Sequence, residues 1–228
     1  MTLSPTPLEW IRPPRQARTQ RSLERLLDSA EELLRDKCFE DVHVTEIARR
    51  AKTSVAAFYR RFKDKDALLH ALHERHCEEA FATADDALHP DRWEQAEIRE
   101  ILTRVFPFVI ATLKRHESLE RAIFQRALSD ESMRQRVSAL RRYVMDRLSD
   151  LLLARSAEIQ HPDPRLAVSF AIGQAGALLT EYYTLGAHEI ELVPIGDQKI
   201  AEELTHSCCS YLSVGAQLQP AHSEGESP

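Results

Sequence analysis

The sequence predicts an all-α protein of about nine helices, in which a short N-terminal three-helix unit holding a helix-turn-helix is followed by a longer helical part. Three observations predict it. Apolar residues recur at helical spacing through most of residues 15–215. Six glycines in 228 residues are too few for the tight turns of a many-stranded sheet. The eleven prolines fall largely outside the periodic stretches.

Residues 1–14 are proline-rich and are expected to form a flexible arm. In the first helix, 15–37, Leu23, Leu26, Leu27, Ala30, Leu33 and Leu34 make one stripe. A connection over 38–43 follows, with Phe39 plugging the core. Thr45 is expected to cap the second helix, whose Ile47, Ala48 and Ala51 point inward. Lys52, Thr53 and Ser54 form the turn, and Val55, Phe58 and Phe62 lie on the inner side of a third helix. Asp64 is a good N-cap for a fourth helix over 65–87, Asp66 adds negative charge to its first turn, and His89-Pro90 ends it. Further helices are expected over 95–115, 118–128, 131–157, 164–185 and 197–214, the first kinked at Pro107. The tail 216–228 reads as disordered.

Bulk charge is −6, which taken alone argues against nucleic acid. Its distribution points the other way. Residues 1–70 hold fourteen Lys and Arg against eleven Asp and Glu, whereas the remainder holds sixteen against twenty-five. A basic end on an acidic body can bind DNA at one pole. No apolar run approaches the ~20 residues of a membrane span. Pro5, Pro7, Glu9, Pro13 and Pro14 interrupt any secretion signal, so a soluble cytoplasmic protein is expected. Cys38, Cys77, Cys208 and Cys209 contain no CxxC pair, and reduced, buried thiols are the simpler expectation over redox sensing by Cys208 and Cys209.

The stretch from Val44 to Leu69, VTEIARRAKTSVAAFYRRFKDKDALL, carries the functional signal. Two short amphipathic helices joined by a polar turn are what a helix-turn-helix needs to place one helix in the major groove. Thr53 or Ser54 can cap the third helix. Ala56 and Ala57 are small on its outward side, so the backbone can approach base edges. Tyr59-Arg60-Arg61-Phe62-Lys63 sets a phenol and three cations where phosphates would lie. A generic packed hairpin is the bland alternative.

At these residues the chain resembles the tetracycline repressor (TetR) family. The likeness rests on the amphipathic first helix, on T-x-x-x-I-A-x-x-A near Thr45, and on S-x-x-x-x-Y-x-x-F-x-x-K at Ser54, Tyr59, Phe62 and Lys65, with Leu68 following. It covers residues 18–70. The resemblance implies a helix-turn-helix DNA-binding domain over 15–64 and a C-terminal helical ligand-binding and dimerisation domain over 65–215. It implies a phosphate bond from Tyr59, support from Lys63 and a reach to the DNA backbone by Lys65. The candidate DNA-contacting set is Thr45, Lys52, Thr53, Ser54, Val55, Ala56, Ala57, Tyr59, Arg60, Lys63 and Lys65. Val55 appears in it as the start of the recognition helix, although its spacing also turns it inward. Where the family commonly has glycine, this chain has Lys52; either the turn avoids positive φ or Lys52 tolerates it at modest cost. Where the family often has Gly-Thr, this chain has Ala56-Ala57, losing a hydroxyl while keeping a surface that can touch a thymine methyl.

The resemblance further implies a two-fold homodimer through the helices 164–185 and 197–214, with Ala167, Ala171, Gly173, Ala175, Gly176 and Ala177 permitting close approach, and hence a near-palindromic double-stranded operator. It also implies a pocket for a small apolar or aromatic effector. Candidate lining residues are Phe106, Val109, Ile110, Leu113, Phe124 and Tyr143, with His116 or Gln125 as polar anchors. The function expected is a transcriptional regulator, by family habit a repressor; an effector-blind regulator controlled by abundance or a protein partner is the alternative. No cofactor is expected. Arg12, Arg15, Arg18, Arg21 and Arg25 are either a solvated face or an arm folding onto the duplex. His70, His73, His76 and Cys77 raise a metal site, against which exposed histidines on a charged helix are the simpler reading. An enzyme would have to use His116, Glu117, Glu120 and His161, yet no catalytic motif supports it.

Overall fold

The computed structural model describes residues 17–184 and 195–214, so the arm with Arg12 and Arg15 and the tail 216–228 lie outside it. Nine α-helices occur among the described residues. Helix α1 (Ala17–Leu34) sets Leu23, Leu26, Leu27, Ala30 and Leu34 into the interior. A 3-10 turn, Phe39–Asp41, drops the Phe39 ring into the same core. Helices α2 (Val44–Arg50) and α3 (Val55–Tyr59) follow, and Ile47, Phe58 and Phe62 are completely enclosed.

The ends of these short helices explain why they stop where they do. His43, not Thr45, is the N-cap of α2: Glu46 reaches back, its Oε2 accepting from the His43 N–H at 3.2 Å. Thr45 therefore sits exposed inside the first turn. At the far end the Thr53 N–H donates to the Ala48 carbonyl at 2.9 Å and that of Lys52 to Arg49 at 3.1 Å. Those paired bonds close a helix through one left-handed residue, and Lys52 takes that position with φ of 52°. Ser54 then opens α3, its Oγ accepting from the Ala57 N–H at 3.1 Å.

Helix α4 (Lys65–Ala87) starts at Asp64, whose Oδ1 accepts from the Ala67 N–H at 2.8 Å. A 3-10 turn, Pro90–Trp93, leads to α5 (Ile98–Arg115), which runs through Pro107 unbroken. Helix α6 (Glu117–Ala127) is followed by α7 (Glu131–Leu153), capped by Asp130. Helices α8 (Pro164–Thr184) and α9 (Asp197–Tyr211) complete the body.

Two apolar cores result. One joins α5, α7, α8 and α9 through Ile98, Ile101, Leu102, Leu152, Val168 and Leu212. The other holds α1–α3 and the first half of α4 together with Leu119, Ala122, Ile123 and Ala127 of α6 and Met133 of α7. The N-terminal unit is thus sealed by helices far along the chain. No helix among the described residues is long and apolar enough to cross a membrane.

Candidate nucleic-acid interface

Helix α3 and the turn before it present one outward face. Lys52, Ser54, Val55, Ala56, Tyr59, Arg60 and Lys63 are exposed; Thr53 and Ala57 are half-buried. Val55 is 37% exposed and Tyr59 53%, so the inward placement expected for Val55 is incorrect. Five residues are fewer than two turns, and the enclosed Phe58 and Phe62, with rings 5.2 Å apart, already anchor the segment.

Charge on this face is uncompensated. Several other cations of the N-terminal unit are paired, Arg50 with Glu32 at 2.5 Å, Lys37 with Glu46 at 2.7 Å and Arg75 with Asp28 at 2.6 Å, while Arg21, Arg25 and Arg35 on and after α1 are not. Among the described residues, Arg49, Lys52, Arg60 and Lys63 have no hydrogen bond or ion pair from their side chains. An acidic protein that leaves these cations unpaired beside a free phenol has a surface suited to a polyanion.

Two expected contacts fall away from it. Lys65 sends its ammonium into the protein, donating to the carbonyls of Phe39 at 2.6 Å, Glu40 at 3.0 Å and Val42 at 3.3 Å, above the Phe39 ring at 4.5 Å. It is a clasp on the 3-10 turn, not a hand on the DNA backbone. Arg61 is buried.

Residues 26–72 match the sequence profile of the bacterial regulatory proteins of the tetR family. Those residues carry the N-terminal domain of the tetR family. Solved structures share the fold. A tetR-family transcriptional regulator from Streptomyces coelicolor is 17% identical with a TM-score of 0.64, covering 85% of this chain and 81% of that one. A TetR transcription regulator from Haloarcula marismortui is 15% identical, with a TM-score of 0.63 and coverage of 85% and 97%. A protein from Saccharomonospora viridis, solved in complex with choline, is 16% identical, with a TM-score of 0.67 and coverage of 82% and 95%. A comparison with curated proteins finds no match.

In this chain the α1–α3 unit is tied to the body through α4 and α6. Arg126 of α6 pairs with Asp66 at 3.1 Å. His76 Nε2 meets Glu120 Oε1 at 2.7 Å, and its ring stacks 4.9 Å from His116. His70 stands between α7 groups: the Arg136 guanidinium donates to Nδ1 at 2.5 Å and Nε2 donates to Asp130 Oδ2 at 3.0 Å. His73 Nε2 lies 3.2 Å from Cys77 Sγ, and its Nδ1 is buried without a partner.

These histidines are buried, not the exposed ones expected, because α6 and α7 cover them. The spacing could have said so: Leu69, His73, His76 and Cys77 fall at i, i+4, i+7 and i+8, on one inward stripe. Among the described residues no group of three or more His, Cys, Asp or Glu side chains could hold a metal ion. Burial, then the Arg136 charge, pulls His73 down to about 4. Burial also lowers His76, but Glu120, Glu79 and Glu31 overcome it and hold the imidazole above its ordinary value. Burial pushes the Cys77 thiol up to about 12 and Cys208 likewise, so neither is a ready nucleophile.

The effector candidates are spread over several places. Phe106 and Ile110 are filled core on α5, with Val109 and Leu113 at its edge. Phe124 is half-buried and Gln125 exposed. Tyr143 hydrogen-bonds Asp85, accepts from Arg147 at 2.8 Å and lies 4.9 Å from the Phe81 ring. An open cleft of about 530 Å³ lies elsewhere, between Leu88, Pro90, Glu94, Glu97, Asp150 and Leu151, and none of the candidates lines it. Of the acid-base groups an enzyme would need, Glu120 is engaged by His76, Glu117 by Arg121, and His161 packs on Tyr211.

Helix α8 divides its residues differently from the expected small-residue seam. Ala167, Ala171 and Ala175 face the chain's own core, and Gly176 receives Arg141, whose guanidinium donates to its carbonyl at 2.7 Å. Outward, Leu166, Phe170, Ala177 and Leu178 form an exposed apolar stripe beside Tyr211 of α9. The outer face of α9 itself is largely polar: Gln198, Lys199, Glu202, Glu203 and His206.

Proposed function

We propose that the chain is a homodimeric, sequence-specific DNA-binding repressor acting in the cytoplasm and released by a small effector. The observation that carries the DNA reading is the set of unpaired cations Arg49, Lys52, Arg60 and Lys63 around Tyr59, on the exposed side of a capped recognition helix. Base-edge contacts would come from α3, and phosphate contacts from Tyr59, Lys63 and Lys52.

Dimerisation is supported by the α8 stripe. Leu166 at 58% exposure, Phe170 at 55% and Leu178 at 46% are large apolar groups that a lone chain would leave in water. A two-fold axis through α8, with α9 as rim, would present two recognition helices to one face of DNA, about one helical turn apart or somewhat further. Phe170→Glu is expected to convert the dimer to a monomer in sedimentation; a dimer that persists removes α8 from the interface.

Effector control is supported by the direct ties from α6 and α7 to α4, which make any displacement of the body a displacement of the reading unit. A neighbouring fold holds choline. Our reading for this chain is a small apolar or aromatic molecule bound in the body, with Val109 and Leu113 at the edge of the filled core as its nearest candidates. A tenfold loss of operator affinity needs only ~1.4 kcal/mol of difference between two shapes. Native mass spectrometry of the purified dimer is the test: a retained small molecule that lowers operator affinity supports control, and a molecule-free dimer whose binding never changes points to the effector-blind alternative.

For the DNA reading, Tyr59→Phe and Lys63→Ala are expected to weaken binding to all duplexes about equally, and Lys63→Ala, which removes one phosphate contact in each protomer, to flatten the salt slope of the dimer by about 1.8. Unchanged affinity and slope in both variants would remove this face as the contact surface.

A further inference from the structure

We infer that α3 selects its operator mainly through thymine methyl groups, with Val55 and Ala56 as the residues that set specificity. This rests on the DNA-binding reading above and says which chemistry in the groove the helix recognises.

The reading face is defined first by what it lacks. From Ala51 to Arg60 the chain has no Asn, Gln, Asp or Glu. Bidentate recognition of adenine uses Asn or Gln, and cytosine is read by Glu or Asp, so neither is available. The Ser54 hydroxyl is held at the cap by the Ala57 N–H at 3.1 Å. Arg60 and Lys52 can reach guanine or phosphate, but they sit at the two ends of the helix, one at its C-cap and the other in the turn.

What the helix does present is apolar. Val55 is 37% exposed and Ala56 is exposed, side by side at the N-terminal end, where recognition helices meet base edges. Among the described residues Val55 is left 37% exposed, although a β-branched side chain of this size could have been core; Phe58 and Phe62 are the fully enclosed members of this segment.

Arg49, Lys52, Arg60 and Lys63 frame this small apolar patch. A partner that is anionic around the edge and carries methyl groups at the centre fits that arrangement. In the major groove only thymine presents a methyl, at C5. A helix of five residues is about 7.5 Å long, enough to address roughly two base-pair steps. The readout in each half-site should therefore be narrow.

The test uses the full-length protein and an operator enriched from a random-sequence duplex pool. Each thymine is replaced in turn by deoxyuridine, which removes the methyl and leaves every donor and acceptor in place. One or two thymines per half-site are expected to lose about fourfold in affinity, the rest nothing. With Val55→Ala the penalty at one of those steps should vanish, while the salt slope stays unchanged. Because Val55 is exposed, this variant does not test folding.

An enriched operator indifferent to deoxyuridine at every thymine overturns the inference while leaving the DNA reading intact. So does a methyl penalty that neither Val55→Ala nor Ala56→Ser alters. A pool that yields no enriched sequence brings down the sequence-specific reading itself, and this inference with it.

Discussion

The first half of α4 is buried on two sides, one almost wholly apolar inside and the other mixing apolar residues of α6 and α7 with a polar seam. Toward α1–α3 it offers Leu68 and Leu72 to Leu26, Ile47, Phe58 and Phe62, an interior without a polar side chain among its largest members. Toward α6 and α7 it offers His70, His73, His76 and Cys77 to Glu120, His116, Asp130 and Arg136. The apolar side holds by shape and burial, which change little with solution conditions. The polar side depends on buried donors meeting acceptors, and its members other than Arg136 can gain or lose a proton. Rigidity therefore belongs to the reading unit, and responsiveness to the seam behind it.

The largest effect should come from the apolar side. Phe58→Ala empties a fully enclosed site and is expected to destabilise the fold by about 3–5 kcal/mol, read from denaturant unfolding. A loss below about 1 kcal/mol would mean that this interior is loosely packed and that the contrast is false.

Next comes acid. His73 titrates at about 4 in the folded chain and near 6.5 when unfolded. The unfolded state therefore binds the proton first, and stability is lost as pH falls from 6.5 toward 4. Its full size, below the folded value, is about 3 kcal/mol. Burial lowers His70 and His116 too, and both push the same way. His76, raised, opposes them: its contribution is complete below 6.5 and is lost as pH rises through its higher folded value. Thermal melts should fall steeply from pH 6.5 to 4 in the native chain and less steeply in His73→Gln. Equal slopes would locate the acid sensitivity elsewhere.

Glu120→Ala leaves the His76 imidazole buried without its acceptor. Because the Glu120 side chain keeps a quarter of its exposure, the loss should sit below the range for sealed pairs, at about 2 kcal/mol. His76→Leu with Glu120→Met should recover most of it, since an apolar pair needs no partner. If the double variant is as weak as the single one, the seam is held by shape as well, and the two sides of α4 are alike.

How far the sequence showed these two sides differs in the same way. The helices of the apolar unit were legible because the stripe Leu23, Leu26, Leu27, Ala30 and Leu34 repeats locally. The span of α4 was legible because Asp64 and His89-Pro90 are local start and stop signals. Val55 was misplaced because a five-residue helix is too short for periodicity to assign a face. The stripe of Leu69, His73, His76 and Cys77 marks a buried face, but its partners are not legible: His76 finds Glu120 forty-four residues away, and His70 finds Arg136 sixty-six away. Lys65 failed for the same reason, its carbonyls lying twenty-three to twenty-six residues back. The cap at His43 also had a local signal, since Glu46 stands three residues on, where a capping box places it.

The smallest effect tests whether the apolar unit is free of strain. Lys52 holds φ of 52°, a region that disfavours side chains with a Cβ, to close α2 with the Thr53 to Ala48 bond. Lys52→Gly removes that strain, so melting temperature should rise by an amount equivalent to about 1 kcal/mol, less the entropy that glycine adds to the unfolded chain. The same change deletes one of the unpaired cations beside α3, so operator affinity should fall while stability rises. Lys52→Asn is a second relief of the same strain that, like glycine, also removes the charge, but without glycine's added unfolded-chain entropy. If Gly and Asn both stabilise and both weaken DNA binding, a charge at this turn is kept at the expense of backbone strain. A glycine variant that is no more stable would show that the turn accommodates Lys52 freely, and one that binds DNA unchanged would take Lys52 out of the interface.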